Sequence, residues 1–306
     1  MATQIDVMPS NDPFTMKDLN TEHPRWCVGC GDFGIIMGLK RFMVEKQIQP
    51  HMTVNVSGIG CSGRAPFYFN TYGIHAIHGR AITVALGLAL TRPDLNIFIH
   101  SGDGDAMSIG GNHLLHGINK NFNCVFIMYD NELYSLTKGQ TSPTTRKGHP
   151  TQTQPLGTML DPLNPISFVL GAGASFAART ADWMPDHLTS TLKAAFDHKG
   201  FSFVHVSQRC PHFDPENFDH KTTNWFSFII HEKGIPADKR VAEKVEVITH
   251  DPSNKEEAFK LANRKHAYFG LFYHDPQKPC YDELLRRQVK EAKPKPRSGI
   301  LDSFKI

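Results

Sequence analysis

Two short stretches of the sequence decide the fold: His100-Ser101-Gly102-Asp103-Gly104-Asp105 and Asp130-Asn131-Glu132-Leu133-Tyr134-Ser135-Leu136. Each follows an apolar run, residues 96–99 before the first and 124–129 before the second, which is typical of a buried parallel strand. Residues 109–119, between them, carry apolar side chains at a spacing that suits a crossover helix. Both stretches therefore follow neighbouring strands at the carboxyl edge of an open α/β sheet, where such folds bind ligands.

The rest of the chain predicts a doubly wound, mostly parallel α/β sheet with helices on both faces. Helices are expected at 33–46, 81–90, 166–170, 185–197 and 255–264, and strands at 53–56, 175–179 and 201–206, the last clear strand. Residues 137–165 form a long polar loop, which in a compact domain is usually functional. We divide the chain into an N-terminal arm (1–24), an α/β domain (25–212) and a C-terminal extension (213–306) that contacts a partner subunit.

Composition excludes several classes of function. The chain has 306 residues, a formal charge of +3 and 40% apolar residues, enough for a sizeable core. Lys and Arg form no long basic block with interleaved aromatics, so nucleic acid is not indicated. No apolar run is long enough to span a bilayer, and the N-terminus lacks the pattern of a signal peptide. These features indicate a cytoplasmic protein, in which the six cysteines are ligands or free thiols rather than disulfides.

The two quoted stretches carry oxygen ligands of a kind that suits Mg²⁺. Asp103 offers a carboxylate and Asn131 an amide oxygen, and Gly102 and Gly104 let the backbone approach a pyrophosphate closely. A tight turn rich in Gly and Asp is the plain alternative for the first stretch taken alone. The pair, separated by a helix and a strand, resembles the thiamine-diphosphate motif. By that resemblance Asp103, Asn131 and the backbone carbonyl of Leu133 are the Mg²⁺ ligands.

Four cysteines are candidate metal ligands, and three of them stand at predicted strand or helix ends. Cys27 and Cys30 flank a Gly before a helix, Cys61 lies in a Gly-rich loop after a strand, and Cys210 follows the strand at 201–206. Four thiolates hold either structural Zn²⁺ or a [4Fe-4S] cluster. One short pair with two distant single cysteines, the last followed by a Pro, favours the cluster over zinc. Scattered free cysteines remain the alternative.

Taken together, five motifs resemble the β subunit of the 2-oxoacid:ferredoxin oxidoreductases, and their joint order is specific although none is so singly. The resemblance covers roughly residues 22–211, and a further segment at 269–273 is similar to the tail of that subunit. The motifs are Trp26-Cys27-Val28-Gly29-Cys30-Gly31-Asp32, Gly58-Ile59-Gly60-Cys61-Ser62, His78-Gly79-Arg80, Gly102-Asp103-Gly104 and Asp130-Asn131 with Tyr134 to Gln140.

This resemblance implies a thiamine-diphosphate-binding fold with Mg²⁺ and one [4Fe-4S] cluster held by Cys27, Cys30, Cys61 and Cys210. It also implies an α subunit in an α₂β₂ or larger assembly, and oxidative decarboxylation of a 2-oxoacid with CoA to an acyl-CoA while ferredoxin is reduced. The family's activating Glu comes from the α subunit, so the chain alone is expected to be inactive. The residues that line the cofactor by this resemblance are Ile59, Gly60, Cys61, Ser62, His78, Gly102, Gly104, Asp105, Ser135 and Leu136.

Two residues favour 2-oxoglutarate as the substrate. Arg64 stands where relatives that accept larger or dicarboxylic 2-oxoacids carry a basic residue, and its guanidinium suits a distal carboxylate. Leu136 stands where pyruvate-specific relatives tend to have Asn. Lys138 is a second candidate for substrate binding. The alternatives are that Arg64 caps local backbone, that Lys138 is merely solvated, and that pyruvate or a branched 2-oxoacid is the substrate. A non-redox thiamine-diphosphate decarboxylase subunit and a non-catalytic iron–sulfur carrier remain alternatives from other classes.

Overall fold

The computed structural model describes residues 13–219 and 221–292. The outer parts of the predicted arm (1–12) and extension (293–306) lie outside them. The helices are α1 (Asp32–Lys46), α2 (Ala81–Thr91), α3 (Gly111–Lys120), α4 (Pro165–Gly171), α5 (Pro185–Asp197), α6 (Lys255–Ala262) and α7 (Tyr281–Glu291). The strands are β1 (Thr53–Ser57), β2 (Tyr72–His75), β3 (Asn96–Gly102), β4 (Cys124–Asp130), β5 (Leu133–Tyr134), β6 (Gln140–Thr141), β7 (Phe176–Ala181), β8 (Phe201–Ser207), β9 (Phe226–Ile230), β10 (Val247–Thr249) and β11 (Ala267–His274).

Nine of these strands form one sheet in the order β10-β9-β11-β7-β8-β4-β3-β1-β2, and β5 pairs with β6 separately. Every neighbouring pair of the large sheet is parallel except β11 with β7. The prediction of a mostly parallel α/β sheet is confirmed. Because β1, β3, β4 and β8 are consecutive parallel neighbours, the loops that follow them leave the same edge of the sheet.

Each face of the sheet packs against its own set of helices. Neighbouring residues of β3 point to opposite faces, so Phe98 packs with α1 and α5 while Ile97 and Ile99 pack with α2, α3, α4 and α6. These side chains are almost fully buried. Burial on both faces explains why the central strands are continuous apolar runs, which identified them in the sequence.

The expectation that residues 201–206 are the last strand is wrong. Segments β9, β10 and β11 follow and extend the same sheet beyond β7. The boundary predicted at residue 212 therefore does not divide the sheet into two units, and residues 226–274 of the predicted extension are part of it. The short strand β2 was also missed, because Tyr72–His75 is largely exposed at the sheet edge and has no apolar run.

The stretch after β3 is not a simple turn into the crossover helix. Residues 105–109 form a π-helical turn, and α3 begins only at Gly111, two residues after the predicted start. Such turns are frequent at functional sites. No helix within residues 13–219 and 221–292 has both the length and the apolar character needed to cross a membrane.

Candidate cofactor site

A cavity of about 120 Å³ opens where the loops after β1, β3 and β4 meet. Every residue that the sequence predicts for thiamine diphosphate or Mg²⁺ lines it, including Asp103, Asn131 and Leu133. The structure thus brings the two quoted stretches together with the Gly-rich loop after β1. Further lining residues that the sequence did not single out are Asp32, Tyr129, Tyr134, Thr137 and Gln208.

The Asp105 carboxylate holds three neighbouring segments of the chain in place. Its Oδ1 accepts hydrogen bonds from the backbone N–H of Ile59 at 3.1 Å and of Gly79 at 2.7 Å, and it also bonds the Nδ1 of His78. Its Oδ2 accepts from the Ser101 hydroxyl. The carboxylate is 2% exposed and ties the loop after β1, the start of α2 and the end of β3 to one point. Asp105 therefore positions cavity residues, including His78, as well as lining the cavity.

Close packing explains two glycines in the predicted motifs. A Cβ on Gly104 would lie 2.3 Å from the Tyr134 ring, and a Cβ on Gly58 would lie 1.8 Å from the Asp105 carboxylate. No side chain fits at these distances, so both positions require glycine. The Tyr134 hydroxyl donates a 3.0 Å hydrogen bond to the Gly104 carbonyl and holds the loop after β3 against the loop after β4.

Asp103 and Asn131 form a buried pair of oxygen donors. Asp103 is 2% exposed, and its Oδ2 accepts a 2.7 Å hydrogen bond from the Thr144 hydroxyl. Burial, and next the neighbouring Asp130 carboxylate, raises the pKa of Asp103 to about 8. The Oδ1 of Asn131 accepts from the Leu133 N–H at 3.1 Å, which folds this turn so that Leu133 reaches the cavity. A buried carboxylate next to a second carboxylate is an environment that a divalent cation stabilises, so these donors fit Mg²⁺.

The carboxylates next to Asp103 and Asn131 are paired with basic side chains or with a hydroxyl group. His205 Nε2 bonds Asp130 Oδ2 at 2.8 Å, and Thr144 donates to Asp130 Oδ1 at 2.9 Å. Glu132 faces Arg146 at 3.3 Å. Asp103 has no such basic partner among the described residues, and of Asp103, Asp130 and Glu132 it is the one that lines the cofactor cavity.

A second cavity, of about 250 Å³, adjoins the first and is lined by all four predicted cluster cysteines. Three contacts bring them together: Cys30 N–H bonds the Cys27 carbonyl, Gly31 N–H bonds the Arg209 carbonyl beside Cys210, and the Trp26 indole bonds the Cys61 carbonyl. Burial, followed by the Asp32 charge and then the thiols of Cys210 and Cys27, raises the pKa of Cys61 to about 12. Four sulfurs around one cavity fit a cluster of several irons.

Within residues 13–219 and 221–292, no three His, Cys, Asp or Glu side chains converge closely enough to hold one metal ion.

The predicted substrate residues Arg64 and Lys138 line the sulfur cavity rather than the cofactor cavity. Arg64 Nη1 donates a 2.9 Å hydrogen bond to the Arg25 carbonyl, which is the backbone contact considered as the alternative for this residue. Leu136 lines both cavities.

Two residues between the cavities were missed. Gln208 Oε1 accepts a 2.6 Å hydrogen bond from the Asn131 amide, and its Nε2 lies 3.5 Å from Cys30 Sγ as a donor. Asp32 is fully buried with no hydrogen-bond partner within normal geometry for either oxygen. Burial raises the pKa of Asp32 to about 7, against an opposing effect of the Cys30 thiol. Asp32 was visible in the first quoted cysteine motif, whereas only its place at a strand end marks Gln208.

Comparison with known proteins agrees with this geometry. The family model described as "Thiamine pyrophosphate enzyme, C-terminal TPP binding domain" matches residues 58–206. A second model, which describes the C-terminal part of the pyruvate ferredoxin oxidoreductase beta subunit, matches residues 238–290. The first match runs from the loop after β1 to the end of β8 and spans the cofactor cavity. The fold and the site thus define a thiamine-diphosphate-binding domain of the α/β class.

Relatives of full length are also similar. Subunit KorB of the 2-oxoglutarate oxidoreductase of Mycobacterium tuberculosis is 37% identical over 96% of this chain and 86% of its own. The β subunit of 2-oxoacid:ferredoxin oxidoreductase 1 of Aeropyrum pernix is 35% identical over 86% of this chain and 81% of its own. A structure of the 2-oxoglutarate:ferredoxin oxidoreductase of Magnetococcus marinus, with 2-oxoglutarate, coenzyme A and succinyl-CoA bound, superposes with a TM-score of 0.84. It is 33% identical and covers 99% of this chain and 100% of that one.

The chain belongs to the β subunits of the 2-oxoacid:ferredoxin oxidoreductases. The family resemblance inferred from the five motifs is confirmed, and the chain is an oxidoreductase subunit.

Proposed function

We propose that this β subunit acts with an α subunit, in an α₂β₂ assembly in the cytoplasm, to convert 2-oxoglutarate and CoA into succinyl-CoA and CO₂, with electrons passed through a [4Fe-4S] cluster to ferredoxin. One observation carries the proposal: the cavity lined by oxygen donors adjoins the cavity lined by four thiols. Electrons that leave a carbon centre in the first have a short path into the second. The residues that line both cavities are Cys61, Asn131, Ser135, Leu136 and Gln208.

In this proposal the first cavity holds Mg²⁺ and the diphosphate. Asp103, Asn131 and the Leu133 carbonyl bind the metal. Its positive charge stabilises the ionised form of Asp103, which burial disfavours by raising the pKa. The glycines and hydroxyls at the loop ends bind the diphosphate through N–H and O–H donors, and His78, fixed by Asp105, is a further donor. The full set of residues proposed to line the bound cofactor, which includes these donors, is Ile59, Gly60, Cys61, Ser62, His78, Gly102, Gly104, Asp105, Ser135 and Leu136.

The second cavity holds the cluster on Cys27, Cys30, Cys61 and Cys210. Thiolates, not thiols, bind iron, and burial raises the pKa of Cys30 far above its usual value. The buried thiolate is therefore stable only together with the positive charge of the metal, so iron uptake and proton release are coupled. The Gln208 amide donates toward Cys30 Sγ, and hydrogen bonds to sulfur tune the potential of such clusters.

When bound, thiamine diphosphate supplies the nucleophilic carbon and the electron sink for decarboxylation, and the cluster supplies one-electron transfer. The chain's own residues orient the reactants. Arg64 and Lys138 lie at the sulfur cavity, where a guanidinium and an ammonium bind the distal carboxylate of a dicarboxylic 2-oxoacid. The apolar Leu136 lines both cavities and shapes the space between cofactor and substrate.

A partner subunit is needed to complete the site. No glutamate is among the described residues that line the cofactor cavity, so the acid that activates the cofactor ring comes from the α subunit. Three apolar side chains of the loop before α4 are exposed to solvent, Leu156 at 102%, Met159 at 75% and Leu160 at 79%. An exposed apolar cluster of this kind is typical of a protein contact, and we assign it to the α subunit. The extension 213–306 is proposed to contribute to the same contact.

The proposal is tested by co-expressing the chain anaerobically with its α subunit and measuring iron, bound thiamine diphosphate and CoA-dependent viologen reduction. Cys61→Ser removes a cavity thiol and is expected to abolish the cluster absorbance and viologen reduction. Cys124→Ser is the matched control, because that thiol lies in β4 and lines neither cavity. Equal iron in all three proteins contradicts the cluster assignment, and an iron-free but decarboxylating enzyme supports a non-redox function instead.

Pyruvate is the second candidate substrate, because the family model that matches residues 238–290 is described as the C-terminal part of the pyruvate ferredoxin oxidoreductase beta subunit. The same preparation assayed with pyruvate and 2-oxoglutarate in parallel decides between them. A kcat/KM that is higher for pyruvate overturns the assignment of Arg64 and Lys138 to a distal carboxylate and leaves the family assignment intact.

A further inference from the structure

A third cavity, of about 300 Å³, lies on the other side of the oxygen-donor site, beyond the ends of β4, β7 and β8. It is lined by basic and aromatic side chains that the proposed reaction does not use. Among them are Arg179, His205, Trp225, Arg264 and Lys265. None of these five lines the cofactor or the sulfur cavity.

Arg179 is the central group of this cavity. It stands on β7 and is 9% exposed, and its Nε donates a 2.9 Å hydrogen bond to His205 Nδ1. The guanidinium carbon lies 5.4 Å from the centre of the Phe272 ring, so the side chain is fixed on two sides. Neither terminal nitrogen has a hydrogen bond or an ion pair to any described residue. The two terminal N–H₂ groups are open to the cavity, where they can donate to the oxygens of an anion.

Other charges that face the cavity leave it short of negative charge. Arg264 and Lys265 add two cations. Arg264 lies 4.0 Å from the Glu257 carboxylate and donates to the Tyr268 hydroxyl, whereas Lys265 has no ion pair with a described residue. Asp130 and Glu132 also line the cavity, but they are already matched. Asp130 accepts from His205 and Thr144, and Glu132 faces Arg146. Arg179 and Lys265 are therefore the cations of this wall that have no carboxylate of a described residue to pair with.

We infer that this cavity binds an oxyanion, of phosphate or carboxylate type, on the terminal nitrogens of Arg179 with Arg264 and Lys265 at its mouth. The planar guanidinium presents two parallel donors, which match two oxygens of such a group. Trp225 and the neighbouring apolar wall accommodate an organic part of the ligand. The site is a binding site for a small anionic molecule that is neither the 2-oxoacid nor the diphosphate.

The site is separate from the diphosphate site, although hydrogen bonds connect the two. Arg179 bonds His205, His205 bonds Asp130, and the Thr144 hydroxyl bonds both Asp130 and Asp103. One histidine, one aspartate and one threonine thus stand between the new site and the proposed metal ligand. An anion on Arg179 therefore binds without displacing the diphosphate.

The test is calorimetric titration of the α–β complex with inorganic phosphate in a phosphate-free buffer. Thiamine diphosphate and Mg²⁺ are kept at saturation, so the diphosphate site is not available to the probe. We expect saturable binding of one phosphate per β subunit. A parallel titration with acetate identifies the ligand type: tighter phosphate binding indicates a phosphoryl ligand and tighter acetate binding a carboxylate, both within the inferred class. No saturable binding of either anion overturns the inference.

Variants locate the binding in this cavity. Arg179→Gln is expected to abolish phosphate binding, and Arg264→Gln to weaken it about tenfold, as for the loss of one charge-assisted hydrogen bond. Arg264 is exposed, so that variant keeps the test decisive if Arg179→Gln does not fold. Lys260→Gln, on α6 outside the cavity and paired with Glu256, is the matched control and binds phosphate as the wild type does. Wild-type phosphate affinity in Arg264→Gln, or in a folded Arg179→Gln, overturns the inference.

Discussion

The side-chain amide of Asn131 donates a 2.6 Å hydrogen bond to the side-chain oxygen Oε1 of Gln208, on the wall that separates the oxygen-donor cavity from the sulfur cavity. The other end of the Gln208 amide points toward Cys30 Sγ at 3.5 Å. One side chain therefore touches a proposed Mg²⁺ ligand and a proposed cluster ligand. The two proposed cofactor sites are thus connected through Gln208, which belongs to neither proposed ligand set.

Replacing Gln208 by Leu is expected to affect both sites. Asn131 loses the bond that orients it, so half-maximal activity should require about tenfold more Mg²⁺, as for the loss of one buried hydrogen bond of about 1–2 kcal/mol. The cluster loses a donor to sulfur, so its reduction potential should become more negative. Magnesium titration and potentiometry measure the two effects. Gln288→Leu on exposed α7 is the control, and a Gln208 variant unchanged in both readouts removes its positioning role.

Replacing Arg64 by Ala is expected to raise the KM for 2-oxoglutarate about tenfold to a hundredfold, since a charge-assisted hydrogen bond contributes about 1.5–3 kcal/mol. Pyruvate has no distal carboxylate, so its KM should stay the same. Steady-state kinetics with both substrates measure the difference, and Arg92→Ala, an exposed arginine paired with Asp94, serves as the control. Equal losses with both substrates would show that Arg64 acts only through its bond to the Arg25 carbonyl.

The exposed loop before α4 is expected to hold the α subunit. Changing Leu156, Met159 and Leu160 together to Ser removes apolar surface worth about 2 kcal/mol per side chain when buried, so the complex should bind at least about a hundredfold more weakly. Analytical size-exclusion chromatography of the co-expressed subunits measures the loss. A double change of the exposed residues Met37 on α1 and Leu115 on α3 to Ser, outside both the loop and the extension, is the control. A fully assembled triple variant contradicts the assignment of this surface.

Stability of the chain should fall as the pH falls below about 6.5. Burial lowers the pKa of His187 and of His198 to about 4, from 6.5 in the unfolded chain. Between these values the unfolded state binds protons that the folded state does not, so the free energy of unfolding decreases with acidification by up to about 1.4 kcal/mol per pH unit for each histidine. Above pH 6.5 the contribution is fully present.

Denaturant unfolding at several pH values measures this slope. His198→Gln should make the slope between pH 6.5 and 4.5 shallower, whatever its effect on stability at pH 7. His23, which is exposed, provides the control substitution to Gln, which should leave the slope unchanged. An unaltered slope in the His198 variant would mean that this histidine is protonated in the folded chain.

The central strands could be predicted from the sequence because strands buried on both faces are continuous apolar runs. Most cavity residues could then be predicted because they directly follow these strands. The stretch Cys124 to Tyr129 can only be a central strand, and Asn131 must then leave the carboxyl edge. The strand β11 was missed although Ala267–His274 is equally apolar, because it follows a charged segment that was taken as a tail. Its antiparallel pairing with β7 depends on contacts far apart in the chain, which no local pattern records.

The residues of the candidate sites show the same limit of local sequence patterns. Asp103 and Asn131 were predicted as Mg²⁺ ligands because a hard cation prefers carboxylate and amide oxygens. Gln208 and Arg179 carry no such signal, since a glutamine after a strand and an arginine within one are common. Their roles come from burial and from the partners that the sheet order places beside them. Such residues become visible only when the strand order is known.

We propose that this chain, with its α subunit, couples decarboxylation of 2-oxoglutarate to one-electron transfer. Anaerobic reduction of methyl viologen by the purified, brown α–β complex tests this coupling. We expect viologen to be reduced only when 2-oxoglutarate and CoA are both present, with two viologens reduced for each molecule of succinyl-CoA formed. Release of CO₂ from 2-oxoglutarate without viologen reduction, from a complex that contains iron, would contradict it.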